Sequence, residues 1–384
     1  SPSVDEHLQR FRFITETPSL WCRLMLAHSG YFHCKVFAIH GKYINFAATN
    51  SYLMKILITG ASGFIGSFIV EEALRRGMEV WAAVRKSSSK AYLTDARIHF
   101  ITLDFSSQEA LEQQLAPHTF DYIVHAAGLT KSLHHDEFYR VNTDGTRHLV
   151  QAILACKMPI KRFIYLSSLS VFGAIKEQPP YQEIEETDHP QPNTVYGKSK
   201  LEAEEYLDSV GNDFPYIILR PTGVYGPREK DYFLMAQSIK NHVDFAAGFR
   251  RQDITFVYVL DVVQAVFLAL DRGKDGRKYF LTDGNVYQSA DFSNLIRQYL
   301  GRPWCLRVVA PLWVLRLITR IGEVYGRLTG HITALNNDKY HILKQRNWRC
   351  NIEPTVDELG YHPQYNLQQG TQETMAWYQQ QHWL

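Results

Sequence analysis

The sequence predicts an α/β fold: a doubly wound, mostly parallel sheet with a smaller, mainly C-terminal α/β lobe. Residues 55–77 read KILITGASGFIGSFIVEEALRRG, in which an apolar run, a glycine-rich break and a helical apolar period follow one another directly. Further short apolar runs end in small or polar residues, as in DYIVHAAG (121–128) and FIYLSSLSVFG (163–173). The chain has 384 residues, 45% hydrophobic and 21% charged, enough for one large domain with a lobe or two domains sharing a cleft.

Residues 1–53 do not fit this pattern. They show no clean helical or strand period and lack the basic start and long apolar core of a secretory leader. At Met54 the text changes to MKILITGASGFIG, which predicts that Met54 initiates the native protein and that residues 1–53 are an upstream extension outside the core fold. Residues 54–225 are then expected to form the nucleotide-binding sheet, with a segment around 254–270 returning to it. Residues 226–384 are expected to supply most of the substrate lobe.

Composition narrows the function classes. The formal net charge is +2 and no basic run is interleaved with aromatics, so no nucleic-acid partner is expected. The five cysteines (Cys22, Cys34, Cys156, Cys305, Cys350) are scattered without a CxxC pair, which predicts thiols in a reducing, cytoplasmic compartment. His134 and His135 stand beside Asp136 without a second ligand group, so no metal site is expected. No apolar run reaches about 18 residues, so no spanning helix is expected. The nearest, Val308–Ile318, carries Pro311 and Arg316; it reads as a buried or substrate-covering helix and leaves room for a peripheral membrane contact.

The strand at 55–59 is apolar without alternation, as in strands buried on both faces. Gly60, Gly63 and Gly66 break it, and Phe64, Ile65, Phe68, Ile69 and Ala73 continue at helical spacing to a closing Gly77. In this frame Gly60 permits a tight turn, Gly63 lets the backbone approach a pyrophosphate, and Gly66 allows close helix–strand packing. The helix N-terminus offers its unpaired N–H groups to phosphate, so a dinucleotide is expected here.

The next strand, EVWAAVRKSSSK, ends in Val84 and Arg85 with Lys86, three serines and Lys90 behind. An acidic residue there would accept hydrogen bonds from the adenosine ribose; a guanidinium instead can pair with a 2′-phosphate. The missing carboxylate and the present cations favour NADP over NAD.

TVYGKSK (194–200) sets Tyr196 four residues before Lys200, on one face of a helix whose apolar stripe is Val195, Ala203, Leu207 and Val210. Glu202, Glu204, Glu205 and Asp208 are expected to keep the other faces wet. A free tyrosine titrates near about 10, and a nearby ammonium lowers that value. By spacing alone the pair is either a proton donor with its tuning cation or an ordinary surface pair.

TGASGFIG, together with the motifs that follow it in order, resembles the extended short-chain dehydrogenase/reductase superfamily, over most of the chain from Met54 onward. The resemblance implies a Rossmann-type sheet, NADP or NAD as cofactor, a small-molecule substrate and a homodimer. It makes Gly60, Ser62, Gly63, Phe64, Ile65 and Gly66 cofactor-binding. It adds Asp104 and Phe105 from HFITLDF, Ala126, Ala127 and Gly128 from DYIVHAAG, Asn142 from VNTDGTRHLV, and Pro221 and Thr222 from LRPTGVYGP, with FVYVLDVVQA as the late strand–helix signature. Ser168 resembles the catalytic serine, with Ser167 and Ser170 close enough to be alternatives. Tyr196 and Lys200 match the catalytic tyrosine and lysine, and both are expected to touch the cofactor, Lys200 through the nicotinamide ribose.

Dehydratases of this superfamily carry an acidic pair after the catalytic serine or threonine, where this chain has Leu169 and Ser170. Sugar-nucleotide enzymes are expected to hold an asparagine near position 222 and arginines on a diphosphate; here Thr222 stands, with Arg228, Arg250 and Arg251 as candidates for the clamp. Large apolar groups from Trp304 to Leu317, with Phe233, Phe245 and Phe249, suit the lining of a bulky apolar substrate, or the lobe's own core or a dimer seam. This resembles the branch holding 3β-hydroxysteroid dehydrogenases and dihydroflavonol reductases. The expectation is an NADP-preferring oxidoreductase of a secondary alcohol or ketone; the alternatives are a sugar-nucleotide 4-epimerase with bound NAD and a non-catalytic NADP(H) sensor.

Overall fold

The computed structural model describes residues 53–211, 214–302, 304–329 and 336–384, together with a short antiparallel pairing of Ala38–Ile39 with Lys42–Tyr43. The expectation for residues 1–53 lies outside the described residues, that pairing and Leu53 excepted.

Seven parallel strands form the sheet. In chain order they are β1 (Lys55–Thr59), β2 (Glu79–Ala83), β3 (His99–Ile101), β4 (Tyr122–His125), β5 (Arg162–Leu166), β6 (Tyr216–Pro221) and, after three lobe strands, β10 (Lys278–Leu281). Their spatial order is β3-β2-β1-β4-β5-β6-β10, so the direction of winding reverses between β1 and β4. In such sheets that reversal opens a crevice outside the C-terminal strand ends.

The unbroken apolar text of these strands reflects burial on both faces. Ile56 and Ile58 enter one core cluster and Leu57 the other; Ile164 separates from Phe163 and Tyr165 in the same way. Each such fully buried side chain contributes about 1.5–3 kcal/mol. Helices α1 (Phe64–Arg75) and α6 (Val259–Arg272) cover the first face. The second face is covered by α2 (Gln108–Leu115), α3 (Gly145–Ala155) and α4 (Val195–Val210). The chain is doubly wound.

Helix α1 ends where Gly77 takes a φ of +73°. Gly77 N–H then reaches Leu74 O and Met78 N–H reaches Ala73 O, which closes the last turn. The α1 stripe is wider than its spacing indicates. Ile69, Val70, Ala73 and Leu74 face the sheet, while Phe64, Ile65 and Phe68 also pack against a third cluster belonging to the lobe.

The lobe has two parallel strand pairs. β7 (Gly223–Tyr225) pairs with β9 (Phe256–Tyr258), and β8 (Val243–Ala247) with β11 (Leu306–Ala310). Its helices are α5 (Asp231–Lys240), α7 (Asp291–Tyr299), α8 (Leu312–Thr329), α9 (Asn337–Lys344), α10 (Glu353–Leu359) and α11 (Leu367–Gln380). α11 opens with a reciprocal cap: Asn366 Oδ1 accepts from Gln369 N, and Gln369 Oε1 accepts from Asn366 N.

One expectation about side-chain burial fails and a second is narrowed. Glu204 is completely buried, not solvated, because Arg220 and Ser167 meet it inside the protein. Of the apolar groups read as substrate lining, lobe core or a dimer seam, Trp304, Leu306, Val308, Trp313, Leu317, Phe245 and Phe249 are exposed, so they do not form the lobe core. Leu315 is buried, and Phe233 packs on Tyr378 and Trp383.

Candidate active site

The parallel sheet gathers the candidate residues at one edge. Gly60 to Gly66 follow β1, Arg85 follows β2, Asp104 and Phe105 lie beyond β3, and Ala126 to Gly128 follow β4. Ser168 follows β5; Pro221 ends β6 and Thr222 comes next, its N–H bonded to Leu281 O at 3.1 Å.

The glycine turn fits a dinucleotide. Gly60 has φ +66°, and a Cβ there would lie 2.7 Å from the backbone of Ala126 and Ala127. A Cβ on Gly66 would collide with Gly60 O, so α1 rests directly on the strand end. Gly63 is exposed at the N-cap of α1, where no side chain caps the helix and its first turn carries no acidic residue. Ser62, Phe64 and Ile65 flank it, partly exposed. Uncapped N–H groups beside an open backbone are the donor set a pyrophosphate requires.

Arg85 is exposed, and the register of Thr59 with Ala83 sets it alongside this turn. Its backbone closes a small loop with Ser88, N–H to Oγ at 3.1 Å and O from Ser88 N at 2.9 Å. Asp104 is exposed and holds its carboxyl below the usual range through hydrogen bonds from Ser106. The Phe105 ring stacks at 5.8 Å on His125, whose buried imidazole bridges Thr59 Oγ1 (2.7 Å) and Thr146 Oγ1 (3.0 Å). Burial, aided by Lys200, pulls His125 down to about 3, so it is a neutral strut.

Asn142 lies in a wide π-type turn, Tyr139–Asp144, between the short helix His135–Phe138 and α3. Its Oδ1 accepts from Leu129 N at 2.7 Å, and its Nδ2 donates to Leu129 O and Ser199 Oγ, both at 3.0 Å. It thereby ties the loop after Gly128 to α4.

Ser168, Tyr196 and Lys200 come together. Ser168 caps a short turn over Leu169–Val171, its Oγ accepting from Ser170 N at 3.1 Å, and its hydroxyl lies close enough to the Tyr196 phenol to act on its titration. The approach depends on Gly197: a Cβ there would strike Ser170 O, so only glycine lets the serine turn lie against α4. Lys200 is 3% exposed, its Nζ donating to Leu166 O at 2.7 Å and lying 4.5 Å from the Tyr165 ring centre.

The electrostatics differ from the expectation. Desolvation pushes Tyr196 up to about 12, with the neighbouring Ser168 hydroxyl working against it. Desolvation also pulls Lys200 down to about 7 against the pull of Glu204. The ammonium therefore does not lower the phenol here; both groups resist charging because water is excluded. Lys200 is expected to titrate with a midpoint near about 7, charged below and neutral above, in a 13Cε NMR titration assigned with Lys200→Met. An unfolded lysine holds its proton to about 10.4. Between these values the unfolded chain binds more protons, so stability is expected to rise with pH across that window.

Asp338, on α9, has no local signature in the sequence. Its carboxylate accepts from Val195 N and Tyr196 N, both at 3.1 Å, while Thr194 Oγ1 accepts from Gly197 N at 2.9 Å. A negative charge at this helix N-terminus is favourable, and it fixes the backbone that carries Tyr196. Among the described residues no group of three His, Cys, Asp or Glu side chains is placed to hold a metal.

A family model described as the NAD dependent epimerase/dehydratase family matches residues 56–282. The UDP-glucose 4-epimerase of Vibrio cholerae is 28% identical over 336 residues, 83% of this chain and 94% of its own. The decarboxylating sterol-4-alpha-carboxylate 3-dehydrogenase of Schizosaccharomyces pombe is 24% identical over 345 residues, 84% of this chain and 96% of its own. In fold, the chain is similar to the solved UDP-glucose 4-epimerase of Thermotoga maritima, with a TM-score of 0.68 at 22% identity, covering 85% of this chain and 99% of that one. With that family model spanning more than half of its length, the chain belongs to the NAD dependent epimerase/dehydratase family and is an NAD(P)-dependent enzyme of the extended short-chain dehydrogenase type.

Proposed function

We propose that the protein is an NADP-preferring oxidoreductase that interconverts a bulky, apolar secondary alcohol and its ketone, with Tyr196 as general acid and base. The observation that carries this reading is the placing of the Ser168 hydroxyl close enough to the Tyr196 phenol to act on its titration, beside the buried Lys200. A bound nicotinamide dinucleotide supplies or accepts the hydride. The protein handles the substrate oxygen: Ser168 Oγ donates to it, and Tyr196 Oη gives it a proton in reduction or takes one in oxidation. Lys200 contributes the nearest cationic charge and N–H groups for a ribose.

Elimination of water has no support, since Leu169 is buried and Ser170 is neutral where an acidic pair would act. A sugar-nucleotide substrate is disfavoured by the arginines. Arg228 is held between Phe68 and Tyr92 and bonded to Ser67 and Glu71, and Arg251 pairs with Asp253 at 2.8 Å. Of the three candidates for a diphosphate clamp this leaves the exposed Arg250. The sterol dehydrogenase relative supports an apolar substrate.

The NADP preference rests on Arg85 and the missing carboxylate at the end of β2. Arg85→Asp is expected to weaken NADPH binding by roughly 10- to 100-fold, the worth of a charge-assisted phosphate contact. NADH binding should change by no more than about threefold. Fluorescence titration of both cofactors checks this, and equal losses would rule out the phosphate contact. Turnover is tested on panels of ketones and sugar nucleotides. A second reading, an epimerase with tightly held NAD, is favoured by the Vibrio cholerae relative. NAD released by acid from the purified protein, with turnover only of sugar nucleotides, would establish it over the first.

A further inference from the structure

Helix α8 carries an apolar face that the protein leaves uncovered. Trp313, Leu317, Ile321, Val324 and Leu328 recur at intervals of three or four residues and are all exposed, Leu328 at 82%. The opposite side of the helix, with Leu315, Thr319 and Gly326, is buried. β11 runs into α8 through Pro311, and in the register of β8 with β11 the exposed Phe245 stands opposite the exposed Val308. Phe249 is 76% exposed, and its neighbour Gly248 lies against the Leu312 side chain, so the strand pair and the helix adjoin. The rim is basic. α8 holds Arg316 and Arg320, both exposed, against one acid, Glu323, which accepts from Asn337 N at 3.0 Å. Arg307 is exposed on β11, 3.8 Å from the Asp244 carboxylate.

We propose that this face docks on an anionic lipid surface, with α8 lying in the headgroup plane. Among the described residues no helix is long and apolar enough to cross a membrane, so the helix lies on the bilayer and does not span it. Arginines flanking an apolar stripe bury their stems and present the guanidinium to lipid phosphate, and tryptophan suits the same depth. A second copy fits less well. A twofold contact sets the patch against itself, which brings the basic rims of the two copies together.

The location gives docking a purpose. Glu323 holds the start of α9, and Asp338 on α9 holds the backbone of Tyr196. The lipid-facing helix is thus two hydrogen-bonded steps from the Tyr196 backbone, so docking would set the proposed site for an apolar alcohol or ketone near the bilayer. That last link rests on the function proposed above; the docking does not.

The test is flotation of the full chain with vesicles of phosphatidylcholine alone or with about one third phosphatidylglycerol. Binding is expected to the anionic vesicles, weakening at about 0.5 M salt. Arg316→Glu/Arg320→Glu is expected to weaken it by at least roughly tenfold. Leu317→Ser/Ile321→Ser should abolish it with the thermal transition unchanged, because both side chains are exposed. Activity of these variants on a water-soluble ketone should equal that of the wild type; absence of any turnover alongside normal flotation would overturn the function and leave the docking standing. Failure of the wild type to bind either vesicle, or binding indifferent to both variants, overturns the docking. A sedimentation mass of two chains that falls to one in Leu317→Ser/Ile321→Ser also overturns it, by showing that a second copy covers the face.

Discussion

Tyr196→Phe is expected to lower hydride transfer by roughly 10²–10⁴-fold while NADPH affinity stays within about twofold. Phenylalanine keeps the ring and the packing and removes only Oη, the atom that faces the Ser168 hydroxyl. Among the described residues Ser168 is bonded to Ser170 and to no second acid or base. Since burial holds Tyr196 near about 12, the phenol is protonated through the neutral range. The reducing direction, which needs the proton donor, is therefore expected to vary less with pH above neutrality than the oxidising direction, which needs a phenolate. Single-turnover rates in both directions with parallel cofactor titration check this. Equal loss of rate and affinity in Tyr196→Phe would make the residue structural.

The sheet and its glycine turn were legible in the sequence because their causes are local. A strand buried on both faces must be apolar throughout, and a turn packed against a neighbouring strand must lack Cβ atoms; both constraints show in KILITGASGFIG. The roles of Gly197 and Asp338 were not legible. Gly197 is required by the carbonyl of Ser170, distant in sequence, and Asp338 by N–H groups more than a hundred residues away. The burial of Glu204 was hidden for the same reason, since a glutamate on a helix announces its partner only when the helix is packed. The apolar text after Trp304 misled in the other direction. Hydrophobic periodicity shows that a helix has an apolar face, but not whether protein or something else covers it.

Arg220→Met is expected to destabilise the fold by about 3–5 kcal/mol, the cost of leaving one member of a buried ion pair alone. Glu204 is fully buried and Arg220 is 3% exposed. Arg220 Nε donates to both carboxylate oxygens, at 3.1 and 3.2 Å, Nη2 adds a further bond, and Ser167 Oγ donates to the same carboxylate. The guanidinium lies 5.0 Å from the Phe172 ring centre and 5.7 Å from that of Phe280, so no water replaces it when it is removed. Methionine fills much of its volume, which confines the effect to the stranded carboxylate. The companion variant Glu204→Gln/Arg220→Met removes that charge and is expected to recover more than half of the loss, a coupling that a double-mutant cycle isolates. Urea midpoints measure both, and a loss below about 1 kcal/mol in Arg220→Met would contradict the pair's role. The effect should extend to the chemistry. Glu204 stands one helical turn beyond Lys200, and its partner Ser167 adjoins Ser168, so the ion pair joins α4 to the β5 and β6 ends behind the three catalytic candidates. Arg220→Met is therefore expected to slow hydride transfer even below its unfolding transition, and Glu204→Gln/Arg220→Met to restore stability more fully than rate.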